Sequence, residues 1–272
     1  MSLPIKKIYI DTEYKSRESV SNSNFKVDLP QTLYFPDNSV FYIDDISIPH
    51  SWHTIEKDVN DKLYSVVYYV GVAADYRIDV LSPGIYNGAE LATEIQSKLG
   101  LNAIYNSKRN NLEIYKYDPT IQFMILTNDD IYTKINNQWA GVNYDPNNSQ
   151  NVNDVVGNNT RLNSLLYTSS SNYLGAVNLQ PIRNIYIHSS LGNYNTLSNW
   201  GSQTIVKKVP VTANSGNYIF DQVMTGNDFG DCSKQTVRTI NFELKDSSNN
   251  YIPMHGNNLS FSIIFSRMNP EI

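Results

Sequence analysis

The last third of the chain contains four short runs in which apolar and polar residues alternate. In the third run Ile240, Phe242 and Leu244 fall on one face, and Val237, Thr239, Asn241 and Glu243 fall on the other. A period of two, built from β-branched and aromatic residues, is typical of strands with one buried face. Long connections between such strands favour a β-sandwich. The four runs are Ile182–His188, Thr204–Val211, Thr236–Leu244 and Leu259–Phe265.

The first 81 residues contain a second group of strand candidates. They are Asn24–Leu29, Ser39–Ile48, Lys62–Val70 and Asp75–Leu81, with Lys6–Asp11 as a shorter fifth candidate. In the second of them Asp44 and Asp45 interrupt the alternation and suggest a bulge. Four strands before residue 82 and four after residue 181 match the count of a jelly roll. We therefore expect an all-β protein, a single jelly-roll sandwich with eight strands in two sheets to which both halves of the chain contribute.

The segment between these two groups has a helical pattern at its start. Leu91, Ile95 and Leu99 recur at a spacing of four, and Gly100 follows them. This spacing predicts an amphipathic helix over Ala89–Leu99 that ends at a glycine cap. Short strand candidates follow at 103–107, 111–115 and 121–126, then a second short helix at 129–136 and a loop-like stretch at 139–173.

The change of pattern predicts the domain organisation. We expect residues 83–178 to form an inserted α+β subdomain with long loops rich in asparagine and serine. Residues 1–82 and 179–272 are expected to form the discontinuous jelly-roll domain. Asparagine accounts for 35 of the 272 residues, whereas charged residues make up 17%, below the ~25% of ordinary soluble domains. Uncharged polar groups are easier to desolvate than charged ones, which suits contacts between subunits.

The net charge and the hydropathy of the chain argue against nucleic acid and membrane as partners. The net charge of −5 argues against a surface built to neutralise phosphates, so no specific nucleic-acid partner is expected. The sequence has no run of 18 apolar residues and no apolar segment after Met1. We therefore expect neither a membrane span nor a secretion signal. The single cysteine, Cys232, excludes an internal disulfide.

The sequence offers few candidates for catalytic or metal chemistry. His50 and His53 are close in sequence, but they follow a predicted strand and a proline rather than sharing a helix face. Asp44 and Asp45 are neighbours on a predicted strand, so their carboxyl groups should point to opposite faces. Cys232 has acidic neighbours instead of groups that would stabilise a thiolate. We predict that the protein is not an enzyme and has no catalytic, cofactor-binding or metal-binding residues.

One strand connection carries apolar and aromatic residues among asparagine and serine. These residues are Tyr194, Leu197 and Trp200. Such side chains either pack onto their own domain or contact a neighbouring subunit. We favour the second interpretation and take the three residues as a candidate subunit interface.

Six motifs follow one another along the chain. They are SNFKVDLP from Ser23, FYIDDISIPHSW from Phe41, GIYNGAEL from Gly84, IYIHSSL from Ile185, IVKKVP from Ile205 and FELKD from Phe242. As an ordered set they resemble the penton, or minor capsid, proteins of Polinton/Maverick elements, adintoviruses and virophages. The resemblance covers most of the chain and thins out over residues 117–175.

This resemblance implies a single jelly roll that forms homopentamers at the vertices of an icosahedral capsid. The implied partner is a double-jelly-roll major capsid protein, and the implied location is the virion, after assembly inside the host cell. The resemblance brings no catalytic residues with it. Chain length supports the minor role, because two stacked jelly rolls need about sixteen strands and more than 272 residues.

A binding module and an enzyme are the two alternatives to a capsid protein. Loops rich in tyrosine and tryptophan, together with abundant asparagine, also suit a carbohydrate- or receptor-binding β-sandwich such as a spike head. A β-sandwich hydrolase or lyase would need a clustered acid/base pair, which the sequence does not show. A micromolar glycan ligand and a monomeric state would favour the binding module, whereas a pentamer would favour the capsid protein.

Overall fold

A computed structural model describes residues 6–69, 71–116, 118, 120–127, 130–131, 150–157, 172–192, 196–198, 201–222 and 229–268. The chain folds into two compact units, each with its own hydrophobic core. The first unit combines Met1–Trp52 with Ile182–Ile272, and the second is His53–Pro181. The second unit is therefore an insertion in the sequence of the first.

The described residues form the following elements in chain order. They are β1 (Lys6–Asp11), a 3-10 turn (Thr12–Tyr14), β2 (Asn24–Tyr34), β3 (Ser39–Pro49), β4 (Lys62–Tyr69), β5 (Asp75–Val80), α1 (Gly88–Leu99), β6 (Asn102–Asn106), β7 (Asn111–Tyr115), β8 (Ile121–Ile125), α2 (Asn153–Val156), β9 (Asn172–Ala176), β10 (Asn184–Ser189), β11 (Ile205–Pro210), β12 (Tyr218–Gln222), β13 (Gly230–Asp231), β14 (Thr236–Lys245) and β15 (Ser260–Arg267).

The strands of the first unit form two antiparallel sheets. Sheet I has the order β1-β15-β3-β12, with the short β13 also paired to β3, and sheet II has the order β11-β10-β14-β2. When the eight longer strands are counted along the chain, the first pairs with the eighth, the second with the seventh, the third with the sixth and the fourth with the fifth. This nested pairing is that of a long antiparallel ribbon rolled into a jelly roll. The predicted all-β, single jelly-roll fold is confirmed.

Two of the predicted jelly-roll strands belong elsewhere. Lys62–Val70 and Asp75–Leu81 correspond to β4 and β5, which pair with each other and with β8 in the second unit. Their places in sheet I are taken by β1 and by β12, a strand that the sequence analysis did not identify. The boundary accordingly falls after Trp52, not at residue 82. Alternation shows that one face of a strand is buried, but it does not show which sheet the strand joins.

Aromatic side chains from both sheets meet in the core of the jelly roll. The ring of Phe25 lies 5.4 Å from that of Phe242, and Phe261 approaches Phe242 edge-on at 5.1 Å. At another place in the core Phe35 stacks on Phe265 with ring centroids 4.4 Å apart. Such pairs contribute stability beyond the burial of their apolar area. The face of β14 that was predicted to be buried lies in this core.

The predicted bulge in β3 is confirmed. Phe261 of β15 pairs with Ile46 and Ile263 pairs with Ile43, so two aspartates of β3 oppose a single residue of β15. This geometry is that of a β-bulge. The single opposing residue is Ser262, whose hydroxyl donates a hydrogen bond to Asp45. The bulge thus directs both aspartate side chains, Asp44 and Asp45, toward polar partners.

The second unit contains the predicted helix and two three-stranded sheets, β5-β4-β8 and β6-β7-β9. Helix α1 begins at a capping box in which the Asn87 side chain accepts hydrogen bonds from the Ala89 and Glu90 N–H groups. It ends at Gly100, whose φ of 64° is the left-handed conformation that glycine adopts readily. The predicted helix at 129–136 lies largely outside the described residues. In the described part of the predicted loop at 139–173, α2 buries Val155 and Val156.

Candidate functional site

The predicted interface loop is described only in part. Tyr194 and Trp200 lie outside the described residues. Leu197 lies in the connection between β10 and β11, and 74% of its surface is exposed. The preceding Thr196 hydroxyl donates a hydrogen bond to the Ile205 carbonyl oxygen at 2.9 Å, which fastens the loop to the start of β11. An apolar side chain is therefore presented to solvent from an anchored segment.

Sheet I presents aromatic side chains that the sequence analysis missed. Tyr9 on β1 is 77% exposed and Phe220 on β12 is 72% exposed, while their neighbours Ile10 and Ile219 are buried. Because side chains alternate along a strand, these aromatic rings lie on the outer face of the sheet. Tyr218 stacks beside Phe220 with ring centroids 6.1 Å apart. Both edges of sheet I thus carry exposed aromatic rings.

A cavity of about 640 Å³ lies beside these rings. Residues of β1, β2, β3, β12 and β15 line it, and Tyr9, Tyr14 and Phe220 contribute aromatic surface. Concave apolar regions on a protein surface are frequent sites of contact with other macromolecules. The cavity is also acidic, since four aspartates belong to its lining: Asp11, Asp28, Asp45 and Asp221.

The outer face of sheet II is polar instead. Asn24 and Lys26 on β2 lie opposite Glu243 and Asn241 on β14. On the other side of β14, Glu243 pairs with His188 of β10. These cross-strand neighbours form a continuous polar surface over three strands, which contrasts with the aromatic edges of sheet I.

The carboxylate of Glu243 is held by two neighbours. The Tyr251 hydroxyl donates a hydrogen bond to it at 2.7 Å, and the Lys245 ammonium lies 2.7 Å from its other oxygen. Asn24 in turn donates to the Tyr251 hydroxyl at 3.1 Å. Partial burial acts to raise the pKa of Glu243, but the bonds from Lys245 and Tyr251 outweigh it and leave the pKa below its usual value. Glu243 is therefore an ionised acceptor at neutral pH.

His188 is buried beside this carboxylate. Its Nδ1 atom lies 3.0 Å from the Thr204 hydroxyl and 3.1 Å from the Ser202 hydroxyl. Burial lowers the pKa of His188, and the positive charge of Lys245 acts in the same direction, against the opposing effect of Glu243. The imidazole is therefore neutral at neutral pH.

His50, one of the two histidines considered for metal binding, has structural partners. The Nδ1–H group of His50 donates to the Ala213 carbonyl oxygen at 2.7 Å, and its ring packs against that of Trp52 with centroids 4.1 Å apart and the planes tilted by 31°. Trp52 itself is buried in the core of the jelly roll. His53 lies 3.8 Å from the carboxylate of Glu56. The arrangement of His50 is that of a packed structural residue.

The remaining candidates for catalytic chemistry are either buried, as Cys232 is, or already bonded to other side chains, as Asp44 and Asp45 are. Burial raises the pKa of Cys232 to about 12, with a smaller contribution from Asp231, so the reactive thiolate does not form at neutral pH. Asp44 forms a salt bridge of 3.0 Å with Lys7, and Asp45 accepts the hydrogen bond from Ser262. The two carboxylates of β3 thus bond to other strands of sheet I, Asp44 to β1 and Asp45 to β15. Among the described residues, no helix is both long and apolar enough to cross a lipid bilayer.

Comparisons with known proteins agree with this architecture. No protein-family model and no curated protein matches the sequence. Among solved structures, the crystal structure of the mavirus penton protein, in selenomethionine-labelled form, matches with a TM-score of 0.54 and 11% sequence identity. The match covers 97% of this chain and 100% of the mavirus chain. Similarity at this level of identity concerns the fold, and this chain has the fold of a penton protein.

Proposed function

We propose that this protein is a structural minor capsid protein, a penton, whose copies form homopentamers at the vertices of an icosahedral capsid. The observation that carries the proposal is the similarity in fold to a penton protein over 97% of the chain. The order of the six sequence motifs supports the same interpretation. The protein would act by assembly and not by catalysis.

The surface of the jelly roll is suited to a closed ring. Each subunit of a cyclic pentamer uses two different faces, one for each neighbour. Sheet I offers exposed rings at its edges, including Tyr9 and Phe220, and the β10–β11 connection offers Leu197. Sheet II is polar on its outer face. Such chemically distinct surfaces allow a subunit to bind one neighbour with one face and the next neighbour with another.

We further propose a double-jelly-roll major capsid protein as the neighbour of the pentamer, and the virion as its location, after assembly inside the host cell. A low proportion of charged residues, 17% of the chain, reduces the desolvation cost of such extensive contacts.

Electron microscopy of the purified protein tests this proposal. We expect two-dimensional class averages of ring-shaped particles with fivefold symmetry. Particles of single-subunit size, or rings with another symmetry, would contradict it. The same preparation with Leu197→Asp should contain fewer rings, because a carboxylate in a subunit contact has to be desolvated.

A further inference from the structure

The polar face of sheet II contains a small pocket that assembly does not explain. Its volume is about 300 Å³, at the lower end of the range of about 300–1,000 Å³ found for ligand pockets. Every residue that lines it is polar or charged. The lining comprises Asn24, Lys26, His188, Ser189, Ser190, Thr204, Asn241 and Glu243.

Two of the lining groups, Ser190 and Glu243, are held in place before any ligand arrives. Adjacent strands supply most of the lining in register, since β14 pairs with β2 on one side and with β10 on the other. The Ser190 hydroxyl accepts a hydrogen bond from the Asn241 N–H at 3.0 Å. Glu243 is held by Tyr251 and Lys245. A ligand that bonds to Glu243 would therefore meet a side chain that is already ordered, which lowers the entropic cost of binding.

The charges of the pocket are already balanced. Glu243 is paired with Lys245 at 2.7 Å, and Lys26 is paired with Glu18 at 2.9 Å. His188 is neutral at neutral pH, because burial and the nearby Lys245 lower its pKa. A charged ligand would have to compete with these ion pairs, whereas a neutral polar ligand would not. The pocket therefore favours a ligand without net charge.

The hydrogen-bonding capacity of the pocket matches hydroxyl groups. A sugar hydroxyl donates one hydrogen bond and accepts others, so it needs both kinds of partner. The Glu243 carboxylate accepts, the Lys26 ammonium donates, and the Asn241 amide does both. The Asn241 side chain has no hydrogen-bond partner among the described residues and is exposed. Tyr251 is half exposed and is held next to Glu243 by the hydrogen bond from its hydroxyl, while the Lys245 ammonium lies over its ring at 5.0 Å.

We propose that this pocket on sheet II binds one ring of a neutral saccharide. The inference does not depend on the capsid function, because it rests on the geometry of this pocket alone. If the protein is a penton, the pocket would give the capsid vertex an affinity for glycans.

Saturation-transfer NMR tests the inference directly. The probes are glucose, galactose, mannose, fucose, N-acetylglucosamine and N-acetylgalactosamine, each added separately to the intact protein. We expect saturation transfer to at least one of them. Asn241→Ala and Glu243→Gln should each weaken that binding at least ~10-fold, because each removes hydrogen bonds to the ligand. Thr239→Ala, a change on the same face of β14 but outside the pocket lining, should leave the affinity unchanged.

Several results would overturn the assignment. They are the absence of saturation transfer to all six sugars, binding that survives both pocket substitutions, and preferential binding of inorganic phosphate or of free lysine. Because Asn241 is exposed, Asn241→Ala should fold normally, and an unchanged thermal unfolding curve verifies this. The oligomeric mass is measured separately, so a pentamer without saccharide affinity refutes only this inference. A monomer that binds saccharide supports the inference and refutes only the capsid proposal.

Discussion

Lys207 and Asp221 form an ion pair that joins the two sheets of the jelly roll, with the Lys207 Nζ atom 2.9 Å from a carboxylate oxygen of Asp221. Lys207 lies on β11, at an edge of sheet II, and Asp221 lies on β12, at an edge of sheet I. The Lys207 side chain is only 2% exposed. A lysine buried to this extent requires a partner, because an unpaired charge in the interior is strongly unfavourable.

Lys207→Ala should therefore destabilise the protein by about 2–4 kcal/mol, since it removes the packing of a buried side chain and leaves Asp221 without its partner. The neighbouring Lys208 is exposed, and Lys208→Ala should change the free energy of unfolding by less than ~0.5 kcal/mol. Urea titration of the two variants measures the difference. Equal effects would show that the ion pair contributes little. Replacing both partners, as Lys207→Met with Asp221→Leu, should recover much of the loss.

Phe242→Ala should reduce stability by about 3–5 kcal/mol, because it opens a cavity between Phe25 and Phe261. Phe229 has the same side chain in an exposed position, and Phe229→Ala should cost less than about 1 kcal/mol. Denaturant unfolding followed by tyrosine and tryptophan fluorescence provides both values. A small effect of Phe242→Ala would mean that the core rearranges to fill the space.

Stability should decrease as the pH is lowered below about 6.5, the ordinary pKa of histidine. Burial lowers the pKa of both His50 and His188 in the folded state. Between the folded and unfolded pKa values the unfolded chain binds more protons, so lowering the pH favours unfolding. Below the folded-state pKa values this contribution no longer changes.

Thermal unfolding between pH 8 and pH 5 measures this dependence. His50→Gln removes one of the two histidines whose pKa is lowered in the folded state. The melting temperature of this variant should therefore fall less steeply between pH 8 and pH 5 than that of the wild type. His255→Gln, a change at an exposed histidine, serves as the control. If the melting temperature of wild type and His50→Gln changed equally with pH, His50 would not contribute to the pH dependence.

Leu197→Asp should weaken assembly while leaving the subunit folded. Loss of an anchor at an interface hot spot costs ~2 kcal/mol or more, and each contact of a ring is affected. Leu197→Met keeps the apolar character and should assemble like wild type. The sequence predicts the same behaviour for Tyr194→Ala and Trp200→Ala. Analytical ultracentrifugation compares the fractions of assembled protein, and a fall in melting temperature without loss of assembly would identify a core position instead.

Much of the jelly roll was predictable because its central strands alternate clearly. In β14 the buried positions include Ile240, Phe242 and Leu244, and the polar positions between them face outward. Strand β12 was missed because Tyr218 and Phe220, two large aromatic residues, occupy its exposed face. A pattern of aromatic, aliphatic and aromatic residues shows no contrast in polarity.

The polar pocket was not predictable from the sequence. His188 and Glu243 are far apart in the chain, and only the register between β10 and β14 brings them together. Polar residues on the outer face of a strand give the same alternating pattern whether they surround a pocket or lie on a flat surface. In the same way, the sequence shows that Leu197 is apolar, but it does not show that this side chain is exposed.

The mass of the wild-type protein in solution tests the central claim most directly. Native mass spectrometry over a range of concentrations should show a species five times the subunit mass of 30.9 kDa, with rings of other sizes absent. Dilution should convert it to folded monomers, because each jelly roll has a core of its own. A protein that remains monomeric at every concentration, or that forms another closed ring, would contradict the proposal that this chain builds a pentameric capsid vertex.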